Sequence, residues 1–157
     1  KFTSRTRWRD KLEKPQEPKL VDIPPKMSHF GAGRMLVPTP MLVDALIRKV
    51  PRGKLVTVTE LRRKLAADFA ADVACPLTTG IFVRIAAEAA EEDRAHGARR
   101  ITPYWRVIKD DGSLNPKFPG GVAQQSRYLR GEGFTTRRQG DKLKLGAGFD
   151  QRLHRLR

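Results

Sequence analysis

The sequence predicts a mainly α domain, a winged helix-turn-helix with short β segments and an extended basic N-terminal arm. Three observations lead there. Four stretches after residue 39 carry apolar residues at helical spacing, separated by β-branched runs and by turns marked with Gly or Pro. Residues 1–35 instead hold Pro15, Pro18, Pro24 and Pro25 among lysines and arginines. Proline lacks an amide donor and fixes its own backbone angle, so this stretch is expected to be extended. Finally, 32 Lys and Arg stand against 17 Asp and Glu in 157 residues, a net charge of +15.

The chain divides into a basic Pro-rich arm (1–35), a central domain (36–134) and a C-terminal wing or hairpin with a basic tail (135–157). In the arm, Arg7–Leu12 has room for one short helix. Leu20, Val21 and Ile23 are either beads that dock on the domain or part of a disordered tail. Pro40 opens the first domain helix, with Met41, Leu42, Ala45, Leu46 and Val50 at helical spacing. Pro51-Arg52-Gly53 stops it, and Leu55–Val58 reads as a brief extended segment. Thr59-Glu60-Leu61 starts a second helix, with Leu61 and Leu65 inward and Arg62, Arg63 and Lys64 on the open side. Pro76 starts a third, in which Ile81, Ile85 and Ala89 share a face and Arg84 and Glu88 form an i,i+4 pair. Gly97 closes it. A basic loop with Arg99 and Arg100 leads into Ile101–Lys109, Asp110-Asp111-Gly112 is a turn, and Val122–Arg130 is a last helix ended by Gly131. Phe134–Lys144 alternates around Gln139-Gly140-Asp141 as a hairpin would. Helix, turn, helix, loop and wing is the order of a helix-turn-helix domain.

The charge points to a polyanionic partner, of which nucleic acid is the commonest. No stretch reaches the roughly 20 apolar residues of a membrane span. The start lacks the apolar core of a signal peptide, and the expected location is cytoplasmic, with the nucleoid. Cys75 is the single cysteine, which excludes an internal disulfide and a cysteine-cluster zinc site. It precedes Pro76 at a helix start and is expected to be a small buried residue. No cofactor or metal is expected.

Val50-Pro51-Arg52-Gly53-Lys54 with Val56-Thr57, and above all Pro103-Tyr104-Trp105-Arg106-Val107-Ile108, resemble motifs of the O6-alkylguanine-DNA alkyltransferase C-terminal domain. The register continues through Asp111-Gly112-Ser113-Leu114, Phe118-Pro119-Gly120-Gly121 and Leu129 to Glu132-Gly133. The resemblance spans roughly residues 36–134. It implies the winged helix-turn-helix fold and a site at Pro103–Val107, where the family has Pro-Cys-His-Arg-Val. That cysteine takes the alkyl group from guanine O6, helped by the histidine and a downstream glutamate.

Here Tyr104 stands at the cysteine position and Trp105 at the histidine position, and Glu132 alone matches the third group. A phenol is a poor substitute for a thiolate, and an indole cannot relay a proton. The chain is therefore expected not to be an enzyme. It resembles the alkyltransferase-like proteins, which lack the acceptor, bind alkylated guanine in DNA and pass the lesion to repair machinery. Tyr104, Trp105, Arg106, Glu132, Phe118, Gly120 and Gly121 are the candidates for a base pocket; for Tyr104 and Trp105 the other reading is that they fill it as core. Thr78, Thr79 and Gly80 mark the start of the recognition helix, where the family's base-displacing arginine has no counterpart in register. Arg84 lies one turn later. Arg62, Arg63, Lys64, Arg99 and Arg100 are the candidate phosphate contacts.

The expected function is non-catalytic binding of duplex DNA, alkylated or not, by a monomer with a repair protein as a possible partner. The alternative is an RNA-binding or protein-interaction module that kept the fold and lost base flipping. The acids Glu88, Glu91, Glu92 and Asp93 at the end of the third helix favour that alternative.

Overall fold

The computed structural model describes residues 7–157; the first six residues of the basic arm lie outside the described part. A short helix α1 (Trp8–Glu13) is followed by strand β1 (Lys19–Asp22), a 3-10 turn (Pro25–Phe30) and strand β2 (Arg34–Val37). β1 runs antiparallel to β2, with Lys19 opposite Val37 and Asp22 opposite Arg34. The boundary expected between residues 35 and 36 thus runs through a paired strand. The arm is a built part of the fold from Trp8 onward. Its prolines sit in the connections, where a missing amide costs nothing, and its apolar positions drive the docking: Leu12 is completely buried.

Helix α2 (Pro40–Arg48) starts at Thr39, whose hydroxyl accepts from the Leu42 amide at 3.3 Å. Strand β3 (Val56–Thr57) runs directly into helix α3 (Val58–Asp68), capped by Thr57 through the Glu60 amide at 3.1 Å. Strand β4 (Val73–Ala74) completes a three-stranded sheet beside β2, pairing Met35 with Val73 and Leu36 with Ala74. Helix α4 (Pro76–Ala95) is the longest, at 20 residues. α3 and α4 are the two helices of the expected helix-turn-helix, with β4 in the turn.

After α4 a 3-10 turn (Tyr104–Arg106) leads into strand β5 (Val107–Ile108), parallel to β3 with Val56 opposite Val107. That pairing ties the Tyr104 segment to the entry of α3. Helix α5 (Gly121–Gly131) and a hairpin of β6 (Thr136–Gln139) and β7 (Lys142–Leu145) follow. Gly140 takes φ +63 in its two-residue turn, a conformation that favours glycine. The tail packs back: Leu153 bridges Leu55, and Leu156 is buried.

Two expectations about α4 are corrected. It buries Thr79, Val83, Ala86, Ala87, Ala89 and Ala90, while Leu77 is 63% and Ile81 48% exposed. The helix packs against both α1 and α2. Alanines permit that close approach, so the small face turns inward and Ile81 faces out. Helical periodicity weighs apolar bulk and misses smallness. The Arg84–Glu88 ion pair does not form among the described residues; burial raises the Glu88 pKa, and Arg84 opposes this only through space.

Candidate nucleic-acid interface

Around the acceptor position the structure gathers Tyr104, Trp105, Arg106, Phe118 and Glu132, as the sequence predicts, but as packed core. The β3–β5 pairing and the 3-10 turn drive Tyr104 inward until it is 0% exposed. Its ring meets Trp105, Phe118 and Tyr128 edge-on, with centroids 5.4, 5.3 and 6.0 Å away. Its hydroxyl donates to Glu91 at 2.7 Å and accepts from the Gln124 amide at 3.2 Å. Burial, reinforced by the Glu91 carboxylate, pushes the phenol well above its ordinary pKa. A neutral, fully partnered phenol offers no nucleophile.

Glu132 is the second hub. It receives Arg106 through Nε at 3.0 Å and Nη2 at 2.9 Å, the Trp105 indole at 2.7 Å and the Gly53 amide at 2.9 Å. Burial opposes its ionisation, but these donors outweigh it and hold the carboxyl below its usual pKa. Arg106 also donates to the Val50 carbonyl at 2.7 Å. The glutamate that the resemblance makes part of a proton relay is here the anchor of an indole and a guanidinium.

Gly120 and Gly121, expected at a pocket, form the left-handed turn into α5, with φ +73 and +67. A Cβ on Gly120 would come within 2.7 Å of the Gln124 side chain, so this glycine lets Gln124 reach Tyr104. Glu91, Gln124, Gln125 and Tyr128 escape sequence reasoning. Gln125 is buried and donates to the carbonyls of Trp105 and Val107 at 3.0 and 2.9 Å, holding the 3-10 turn open at its backbone. Tyr128 stacks on Trp105, centroids 4.1 Å apart and planes 10° from parallel, and donates to Glu91 at 2.8 Å. Burial, with Glu91, pushes its phenol up to about 12. In sequence these residues read as ordinary helix surface.

The predicted phosphate contacts are scattered. Thr79 is buried and donates to the Cys75 carbonyl at 2.6 Å, which takes it off the surface. The Thr78 hydroxyl is buried without a partner, and Gly80 and Arg84 are exposed. Arg62 donates to the Ala74 carbonyl at 3.2 Å and lies over Phe30. Arg63 grips Glu60 with two bonds of 2.8 Å, and Lys64 pairs with Asp68 at 2.7 Å. Each of the three thus has a partner within the fold. Arg99 and Arg100 are exposed at the far end of α4 from Thr78. Cys75 is buried.

The acids of α4 also have internal work. Glu92 accepts from the Trp8 and Arg9 amides at 3.0 Å each, closing the start of α1, and Asp93 pairs with Arg9. Glu91 holds Tyr104, Tyr128 and, at 2.7 Å, Arg94. What α4 leaves open is its N-terminal half. There Leu77, Gly80, Ile81 and Arg84 form one wall of a groove of about 440 Å³, with Lys109 and Lys117 on the other. Among the described residues no carboxylate lines it.

No model of a known protein family matches the sequence, and no curated protein matches it. Among solved structures the chain is similar to S. pombe Atl1, crystallised in complex with damaged DNA containing O6-carboxymethylguanine. The TM-score is 0.50 at 18% identity, over 74% of this chain and 94% of that one. At that identity the likeness establishes the fold: mainly α with short β segments, of the alkyltransferase-like kind that the sequence resemblance implied.

Proposed function

We propose that this protein binds duplex DNA without catalysing alkyl transfer, and that the open N-terminal half of α4 is the surface that enters a groove. The observation that carries the reading is that face. Two large apolar side chains, Leu77 and Ile81, stay exposed on the second helix of a helix-turn-helix, flanked by Arg84, Lys109 and Lys117 with no acid among them. Apolar contact with groove walls and cations at the phosphates is how such helices dock. The fold shared with Atl1, a protein solved on damaged DNA, supports the same reading.

The filled acceptor position supports the non-catalytic half. Tyr104 has no thiol, its hydroxyl is engaged by Glu91 and Gln124, and Trp105 cannot act as a base. Sensing of alkylated guanine belongs to the proposal as its finer part. It requires a flipped base to reach Tyr104, whose side chain is completely buried in the unbound protein. The acids of α4 support a protein-interaction module less than their number suggests, since Glu91, Glu92 and Asp93 are engaged inside the fold and only Glu88 of the four is not.

Anisotropy titrations with a labelled duplex, with and without one O6-methylguanine, test both parts. The expected result is affinity that falls with salt and is weakened about tenfold or more by Ile81→Asp with Arg84→Glu. Unchanged affinity in that variant would remove the α4 face from the reading. Equal affinity for both duplexes would end lesion sensing and leave DNA binding standing.

A further inference from the structure

At the opposite end of α4 lies a second basic site. Two adjoining clefts of about 550 and 850 Å³ share Arg52, Arg94, Trp105 and Tyr128. Into them converge Arg48 from the end of α2, Arg52 from the following turn, Arg94, Arg99 and Arg100 from the end of α4 and its loop, and Arg127 from α5. Among the described residues the cationic lining is entirely arginine, in a chain that also has many lysines. The one carboxylate in the lining is Glu132, already saturated by Arg106, Trp105 and Gly53. Arg48 is held by Asp44 at 2.9 Å, Arg94 by Glu91 and Arg52 by the Gly131 carbonyl at 2.8 Å. Among the described residues Arg99, Arg100 and Arg127 form no ion pair and are exposed.

The floor is apolar. The stacked Trp105–Tyr128 pair continues into Ile101 and Pro103. Guanidinium forks suit phosphate oxygens, which they bind in pairs of bonds, and they also stack on flat rings. An aromatic and aliphatic floor inside a ring of such forks suits a nucleobase joined to its phosphates. A duplex presents a convex rod with its bases stacked inside, and cannot lay a base on this floor. We infer that the clefts bind single-stranded nucleic acid, with a base against Tyr128, Ile101 and Pro103 and phosphates on Arg99, Arg100 and Arg127.

This site shares no lining residue with the groove at the start of α4. Gly80 and Arg94 are 14 residues apart on one helix, about 21 Å at 1.5 Å per residue. The inference therefore stands apart from the duplex-binding reading, and a strand can occupy the clefts while a duplex lies on α4.

The test is a titration of the full chain with labelled dT12 and rU12 at low salt, beside the same measurement on a duplex. The paired variant Arg99→Glu and Arg100→Glu sits on an exposed loop without internal partners, so folding is spared. Its expected effect is at least a tenfold loss for the oligonucleotide and a salt slope smaller by about 1.4, the share of two phosphates on a single strand. In Trp8→Phe, where Trp105 is the remaining indole, saturating oligonucleotide should quench the emission. Whichever of dT12 and rU12 binds more tightly identifies the source of the strand. Three results would overturn the inference: no binding of either oligonucleotide, an equal loss for oligonucleotide and duplex, or full competition by tripolyphosphate with no change in Trp105 emission. Ile81→Asp, by contrast, should weaken the duplex and leave the oligonucleotide unaffected, so the two readings fail separately.

Discussion

Tyr104 is the residue on which the non-catalytic reading and the packing argument meet, and its replacement separates core from pocket. In Tyr104→Phe the ring stays against Trp105, Phe118 and Tyr128, and only the hydroxyl is lost. Glu91 keeps its bonds from Tyr128 and Arg94, so no charge is orphaned. The cost is then one hydrogen bond to a charged group, about 1.5–3 kcal/mol and nearer the lower end. Tyr104→Ala also empties a site that is completely buried, and truncations of that kind cost about 3–5 kcal/mol. In a domain of this size, 1 kcal/mol moves the melting temperature by about 2–4 °C. The phenylalanine variant should therefore melt a few degrees below wild type, and the alanine variant lower by about 6–20 °C. Thermal denaturation followed by circular dichroism gives both numbers, and duplex anisotropy on the same samples gives the binding. If Tyr104→Ala melted with the wild type but lost affinity for DNA, the ring would be a pocket wall and the reasoning would be wrong.

Four further outcomes are expected. The chain has two tyrosines, Tyr104 and Tyr128, and burial raises both, the latter to about 12. A folded pKa above the unfolded value of about 10 gives stability that is complete below pH 10 and fades as pH climbs toward 12. Tyrosinate absorbance at 295 nm should then rise together with unfolding, and a tyrosine titrating near 10 in the folded protein would contradict the burial. Glu132 is depressed, so its contribution is present above the ordinary glutamate range and is lost as pH falls through its folded pKa. Glu132→Gln should cost about 3 kcal/mol at pH 7 and flatten the drop in melting temperature between pH 5 and pH 3. Glu92→Ala removes the acceptor for the Trp8 and Arg9 amides and should cost about 1 kcal/mol, with faster amide exchange confined to α1. Tyr104→Cys should gain no methyl group from O6-methylguanine DNA by mass spectrometry, because Glu91 disfavours a thiolate there and Trp105 takes no proton.

What could be read from the sequence follows from what each signal measures. Turns and stops are local, so the start at Pro40, the Gly97 stop and the Gly140 turn fall where residue type places them, while the second helix starts one residue before the expected Thr59, at Val58, because Thr57 caps it. Ordered motifs are local as well, which is why the acceptor segment and Glu132 were found together. In the N-terminal region the short helix expected at Arg7–Leu12 forms as Trp8–Glu13, and of the two readings for Leu20 and Val21 the docked one holds, as strand β1; the prolines speak only for the connections. Leu12 docks on a surface made 80 residues later, and nothing in residues 8–13 encodes that Glu92 will cap them. Arg62, Arg63 and Lys64 divide on the same ground: Glu60 and Asp68 lie three and four residues along the same helix, a spacing legible in sequence, whereas the Ala74 carbonyl that Arg62 reaches is brought there by the fold. Glu91 and Tyr128 read as helix surface and became visible only when α4 and α5 closed over Tyr104.

The charges divide along the same line. Acids hold the architecture: Asp44 accepts from Thr102 at 2.6 Å, Asp72 from the Arg34 amide, Glu60 from the Leu156 amide, and Asp111 ties the turn at Ser113 to Lys142. Glu91 and Glu132 do the same around Tyr104 and Trp105, and Glu92 at the start of α1. Among the described residues the groove of Arg84, Lys109 and Lys117 has no acid in its lining, and the clefts of Arg99, Arg100 and Arg127 have Glu132 alone, which is paired with Arg106. With Tyr104 buried at the position that resembles the acceptor, the two cationic faces, one at each end of α4, are the surfaces on which the proposed binding rests.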